Sequence, residues 1–299
     1  MGFAPRSRPA VTVGLPVFNS AGSLKASAES ILGQTHEDLE LIISDNASTD
    51  ETWDVCLALA REDDRVRTFR HPRNLGIAEN WNSVVRAARG DFFKWASASD
   101  ICKPTFIGAC LELLHRDPGA VLAFSEAEHF DLQGSLIGTS NRSAPIVEER
   151  AFERFIRAVA TIGTNDEQYG LIRTASLLAT RLERAYPHGD LVLMAELAVH
   201  GRFLMTKERL LLRRSDPKSW TPLMDPAELK EAFWPGRPPR APMLTWRMHI
   251  DYLRVALGSR GGARDRFYMT RYALQRAYWQ SSQLRQELVE ALRLPRPSR

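Results

Sequence analysis

The chain is 299 residues long, 44% hydrophobic and 25% charged, with 40 basic against 36 acidic groups. Global disorder is excluded by that much apolar material, and the length suits one α/β domain with an appendage or two modest domains. Cys56, Cys102 and Cys110 form no CxxC pair, no apolar run nears the ~20 residues that cross a bilayer, and MGFAPRSRPA lacks an apolar signal core, so reduced thiols in a cytoplasmic protein are expected.

Ala10 to Val17 (AVTVGLPV) predicts a buried strand, followed by a helix capped by Ser20 with Leu24, Ala28, Ile31 and Leu32 on one stripe. Leu39 to Ser44 predicts a second strand. Ser48 to Glu51 has the spacing of a capping box, opening a helix that buries Trp53, Cys56 and Leu57. Val66 to Arg70 predicts a third strand, HPRNLG (71–76) a loop, and Ile77 onward a helix with Trp81, Val84, Val85 and Ala88 at helical spacing. Asp91 to Ala96 predicts a fourth strand. Beyond it come a helix ending near Arg116, a strand over Ala120 to Ser125 and a hairpin turning at Gln133-Gly134. Helices are predicted over 150–161 and 174–184, an apolar strand ends at Arg173, a helix begins near Asp190, and Arg202 to Arg214 reads as paired strands. Prolines between 217 and 242 mark a subdomain boundary, and two amphipathic helical stretches broken at 258–262 complete the chain.

Strands separated by helices imply a mainly parallel sheet with right-handed crossovers, in which ligands bind beyond the carboxyl ends of the strands. No GxGxxG follows the first strand and no GxxxxGK[ST] occurs, so neither a dinucleotide site nor a P-loop is supported. Polar residues instead cluster where each strand ends: LPVFN (15–19), SDNASTD (44–50), RNLG (73–76) and ASASD (96–100). Each alone is an ordinary turn. Four converging on one edge would line a single crevice.

Taken in order and spacing, LPVFN, SILGQT (30–35), ELIISDNASTD (40–50), RNLG and RGDFFKWASASD (89–100) resemble the GT-A glycosyltransferases of the family 2 type. The likeness covers residues 10–130 strongly and 165–215 more weakly. It implies an α/β fold with a GT-A-like, mainly parallel sheet flanked by helices, Rossmann-like in its nucleotide-binding half. A C-terminal helical extension follows. It also implies a nucleotide-sugar donor, UDP- or dTDP-linked, and transfer to an acceptor hydroxyl with inversion. Residues 1–130 would form the donor-binding half, 131–215 the acceptor-binding and catalytic half, and 216–299 a Pro-rich linker with a basic helical end.

The resemblance gives individual residues roles, each with a plainer alternative. Asp45 would accept the imide N–H of a uracil or thymine, or else simply turn the chain, with Asn46 beside it. Pro16, Phe18 and Asn19 would pack on and bond the base and ribose; they also suit a strand-to-helix turn. Arg73 and Asn74 would reach the nucleotide, and Gly76 would make the turn before a helix. Asp50 reads as a helix cap.

At the fourth strand end the family usually carries an acidic cluster for a divalent metal, whereas here Ser97 and Ser99 stand in acidic positions and leave Asp100. One carboxylate with phosphate oxygens and waters can hold Mg²⁺ or Mn²⁺, and metal-free action is the other expectation. Arg213 and Arg214 would then meet the diphosphate, unless they only decorate a strand end. Asp190 takes the place of the catalytic acid, as general base for the acceptor, or caps its helix. Asn165 and Tyr169 would shape the acceptor pocket; Trp220, between two prolines, would stack on a sugar or serve as a lid, or else sit in the core.

The last 99 residues hold 20 of the 40 basic groups but nine of the 36 acidic ones. Aromatics interleaved with these arginines suit either helix packing and homodimerisation or peripheral contact with an anionic membrane, while nucleic acid is not an expected partner. Two other functions are weighed: a catalytically degenerate sugar-nucleotide-binding protein, and a nucleotidyltransferase, against which the missing phosphate loop near residue 15 counts.

Overall fold

The computed structural model describes residues 8–131, 133–139, 144–163, 165–214, 225–236 and 243–293. β1 (Val11–Val17) and β2 (Leu39–Asp45) are buried at all seven positions, because helices cover both faces of the sheet. With β3 (Val66–Arg70) and β4 (Phe92–Trp95) they form a parallel set joined by α1 (Ala21–Leu32), α2 (Thr52–Glu62) and α3 (Ile77–Arg86). The register pairs Val17 with Asp45 and Asp45 with Arg70. Gly14 lies opposite Trp95, and the Ala96 amide donates to the Gly14 carbonyl. The carboxyl ends of all four strands therefore share one edge.

The chain continues through β5 (Ile101–Cys102), α4 (Phe106–Arg116), β6 (Ala120–Phe124), β7 (Ala127–Phe130) and β8 (Leu136–Thr139). Next come α5 (Ala151–Thr161), a 3₁₀ turn (Asp166–Tyr169), β9 (Leu171–Arg173), α6 (Thr174–Leu178), α7 (Gly189–His200), β10 (Arg202–Met205) and β11 (Leu211–Arg214). Last are α8 (Pro226–Phe233), α9 (Leu244–Gly258), α10 (Ala263–Trp279) and α11 (Ser281–Arg293). The main sheet runs β10-β6-β9-β4-β1-β2-β3, with β9 antiparallel to both neighbours; the smaller sheet runs β5-β11-β7-β8. Strands from both halves of the chain thus share the main sheet.

Alternation along the strands splits the core into two layers. Val11, Val13 and Leu15 pack with Leu24 and Ile31 of α1 on one face. Phe93 and Trp95 pack on the other with Val84, Phe155, Leu193 and the C-terminal Tyr252, Val255 and Met269. The helical extension is therefore part of the second core layer. Asp251 of α9 accepts from the Tyr186 hydroxyl at 2.7 Å and pairs with Arg184 and Arg254, fastening the extension to the loop before α7.

Four local expectations need correction. Ser20 stands at the N-cap of α1, but its hydroxyl donates to the Phe18 carbonyl and not to the helix. Ser48 does not cap α2: its hydroxyl is spent on Asp45, and Asp50 accepts instead from the Thr52 amide and hydroxyl. The predicted helix over 174–184 stops at Leu178, and the chain turns at Leu182, which adopts φ 57°. β10 and β11 are not paired with each other but belong to different sheets, because β10 extends β6 while β11 is drawn against β7 and β5.

Arg154 ties α5 to the end of α7. Its buried guanidinium donates to the carbonyls of Ala198 and Val199 at the end of α7 and to those of Glu148 and Glu149. Replacing a buried, charge-assisted cap leaves these acceptors unpaired. Arg154→Met is expected to cost about 3 kcal/mol in urea denaturation. An unchanged midpoint would contradict that role.

Candidate functional site

The first three strand ends are stitched into one surface by carboxamide and carboxylate bonds. Asp45, with no exposed surface, receives the Ser48 amide at 3.1 Å and the Ser48 hydroxyl at 2.5 Å on Oδ1. Its Oδ2 accepts no hydrogen bond and lies 3.0 Å from Arg70 Nε. Asn46 donates to Asn74 Oδ1 at 2.8 Å and accepts the Leu75 amide at 2.9 Å, latching the second strand end to the third. Asn19, at φ 49°, holds the 48–49 loop through its amide to Ser48 and its side-chain oxygen to the Thr49 amide. Pro16 is buried in β1, whereas Phe18 and Arg73 are exposed beside this surface. Gly76 has φ 86°, and a Cβ there would come within 2.9 Å of the Phe233 carbonyl oxygen of α8.

The fourth strand end is governed by an arginine. Arg213, at the end of β11, pairs with Asp166 and lies 3.6 Å by Nε from Asp100 Oδ2, with its guanidinium 4.5 Å from the centre of the Tyr169 ring. Burial works against its charge, but Tyr169 and the two carboxylates outweigh it and hold the group protonated. The Arg214 amide donates to Asp100 Oδ1 at 3.2 Å. Burial pushes the Asp100 carboxyl above the usual carboxylate range, with Arg213 opposing that shift. Beneath them Lys94 is buried in β4, donating to the carbonyls of Trp95 at 3.0 Å and Tyr169 at 2.5 Å.

A divalent metal at this strand end would have to displace bonds that these residues already make. Hard cations want several oxygens, carboxylates foremost. Here Asp100 is engaged by a guanidinium and a backbone amide, the serine hydroxyls of Ser97 and Ser99 bond each other at 3.0 Å, and Asp166 is buried against Arg213. A dication at Asp100 would face Arg213. Among the described residues no group of three or more His, Cys, Asp or Glu could hold a metal ion.

Asp190 stands in the first turn of α7 and accepts from Asn165 Nδ2 at 2.8 Å. Asn165 also donates to Gln168 at 3.2 Å, and Gln168 donates to Glu183 at 3.4 Å. Asn165, Leu182 and His188 around this cluster all adopt left-handed backbone, φ 54°, 57° and 70°, a concentration of strain typical of working sites. Burial, then the Asp190 charge, pushes the Glu183 carboxyl well above the usual range.

The sequence-predicted residues thus fall into two groups on one sheet edge. Asp45, Asn46, Asn19 and Asn74 form the first; Asp100, Arg213, Arg214, Tyr169, Asn165 and Asp190 form the second, joined through the 3₁₀ turn. Trp220 lies outside the described residues. Lys94, Asp166 and Glu183 were not singled out in the sequence. A charged residue inside an apolar strand was the available signal for Lys94; nothing local marked the other two.

Acidic and basic groups gathered at the carboxyl edge of a largely parallel α/β sheet stand where ligands bind in folds of this kind. Residues 12–165 match the family described as Glycosyl transferase family 2. The chain belongs to that family. It is 30% identical over 129 residues to a chondroitin synthase of Escherichia coli, covering 43% of this chain and 19% of the relative. It is 31% identical over 97 residues to glycosyltransferase GlyG of Streptococcus pneumoniae, covering 32% of each. The chain therefore spans well under two thirds of these relatives. Among solved structures, residues 1–349 of S. aureus TarS in complex with UDP-GlcNAc match with TM-score 0.65 at 13% identity, covering 90% of this chain and 72% of that one. Mannosyltransferase PcManGT from Pyrobaculum calidifontis, in complex with GDP-Man and Mn²⁺, matches with TM-score 0.54 at 13% identity over 96% and 86%. At such identity these two share the fold.

Glu183 makes a direct test of the cluster. A carboxyl with a raised folded pKa keeps its proton longer in the native state than in the unfolded chain. Its stability contribution is full below the ordinary glutamate value of about 4.3 and drains away as pH rises through the folded value. Glu183→Gln removes that drain. Urea midpoints of the two proteins are expected to lie together near about pH 4 and to separate toward about pH 8, the glutamine form being more stable; parallel curves would overturn the assignment.

Proposed function

We propose that the protein transfers a sugar from a UDP- or dTDP-linked donor to an acceptor hydroxyl, with inversion at the anomeric carbon. The observation that carries this reading is the shared edge: Asp45 ends β2 and Asp100 follows β4, on either side of β1, and Asp190 is bonded to Asn165, beside the 3₁₀ turn that Lys94 of β4 holds at the same edge. Asp45 Oδ2, buried and 3.0 Å from Arg70 Nε, would exchange that ion pair for the imide N–H of the base. Phe18 and Pro16 supply an apolar wall, while Asn19, Asn46 and the Arg73-Asn74 loop, closed by Gly76, frame the ribose side.

Arg213 supplies the positive charge at the diphosphate, with Arg214, Ser99 and Asp100 fixing that end of the rim. Charge then grows on the leaving diphosphate next to a guanidinium held ready for it, which needs no reorganisation at the moment of transfer. Asp190 takes the acceptor hydroxyl proton as the oxygen attacks the anomeric carbon and the bond to the nucleoside diphosphate breaks. Asn165 holds the Asp190 carboxylate in place, and Tyr169 lies beside the acceptor.

Calorimetry with UDP- and dTDP-sugars followed by donor-hydrolysis and transfer assays tests the whole reading. Asp190→Asn is expected to keep donor affinity and to lose turnover by about 10²–10⁴-fold. A near-normal rate would remove Asp190 from the chemistry. With Arg213 assigned the positive charge that a cation would otherwise supply, chelation of divalent metals is expected to change the rate by less than about twofold, whereas Arg213→Met lowers it by about 10²-fold or more. A rate restored only by added Mn²⁺ would sink this part of the proposal. The serines at 97 and 99 favour a second reading, a sugar-nucleotide-binding protein without turnover; binding with neither hydrolysis nor transfer across a broad acceptor panel would select it.

A further inference from the structure

No helix among the described residues is long and apolar enough to cross a membrane, yet one carries a face suited to lying on its surface. The inner side of α10 is fixed: Met269 and Ala273 are buried in the second core layer, and Tyr268 stacks on Phe152 of α5 at 4.8 Å. The opposite side is unpartnered. At 100° per residue Phe267, Arg271, Leu274 and Tyr278 fall on one stripe, with Arg264 at its flank. Phe267 is 61% exposed, Leu274 55% and Tyr278 76%, too much for three core-type side chains in a settled fold. Trp279 is 59% exposed at the end of the same helix.

We propose that this face of α10 docks the protein on an anionic lipid surface. Charge decides the occupant. Arg264, Arg266 and Arg271 are exposed on the helix and Arg260 just before it, while the helix holds a single acid, Asp265. Aromatic and aliphatic side chains entering the headgroup boundary, with guanidinium groups above them at the level of lipid phosphates, is the arrangement of interfacial helices. A second copy of the chain fits worse. Arg271 sits near the middle of the stripe, so two-fold self-pairing would bring the two Arg271 side chains together without a facing acid.

Co-sedimentation of the full chain with vesicles tests this independently of the sugar chemistry. Binding is expected to phosphatidylcholine vesicles containing phosphatidylglycerol, to be weak with phosphatidylcholine alone, and to fall as salt is raised. The triple variant F267S/L274S/Y278S is expected to lose about tenfold or more of that binding. Its melting temperature and its UDP affinity should stay unchanged. The proposal is overturned by equal binding to both vesicle types, by a triple variant that binds as well as the parent, or by a parent that is dimeric in solution and becomes monomeric in the variant without binding vesicles in either form.

Discussion

A strand covered by helices on both faces has no place along its length for a polar side chain, so a parallel sheet pushes its chemistry to the strand ends. β1 and β2 follow this between Val13 and Ile43, while Thr12 and Glu40, bonded to each other at 2.7 Å, sit near their amino ends; the register that aligns Val17, Asp45 and Arg70 brings the polar terminations to a common edge. Everything proposed about nucleotide recognition depends on that alignment. A slip of one residue in β2 would turn Asp45 into the opposite core layer and present Ser44 in its stead.

Lys94 breaks the rule from inside β4, and the break is informative. Its ammonium is bonded to two carbonyls, one of them from the 3₁₀ turn that carries Tyr169, and lies 4.4 Å from the Phe106 ring centre. Together with Arg213 it places two cations around Asp100. Buried charge of this kind is costly unless paired, so the pairing of Arg213 with both Asp100 and Asp166 gives the rim a fixed electrostatic character.

Much of the fold was legible because its cues are local. The first four strands and three helices follow from apolar runs and helical spacing, and the polar clusters at the strand ends follow from their position in that alternation. Errors arose where a local cue met a competing partner. Ser48 has the right spacing for a cap, but the nearby Asp45 carboxylate claims its hydroxyl; β10 and β11 are close in sequence, but β6 and β7 claim their edges. Asp166 and Glu183 were invisible for the same reason. Asp166 acquires meaning from Arg213, 47 positions away, and Glu183 from burial beside Asp190.

Gly76 shows how far such coupling extends. Its left-handed backbone excludes most side chains, and the space a side chain would need is already filled by the Phe233 carbonyl. The strand-end loop at 71–76 and a helix that follows 150 residues later in the chain are therefore moulded against each other. A glycine that looks like simple turn punctuation acts as the seat on which the C-terminal segment rests, so the nucleotide-side loop and the helical extension share one mechanical boundary.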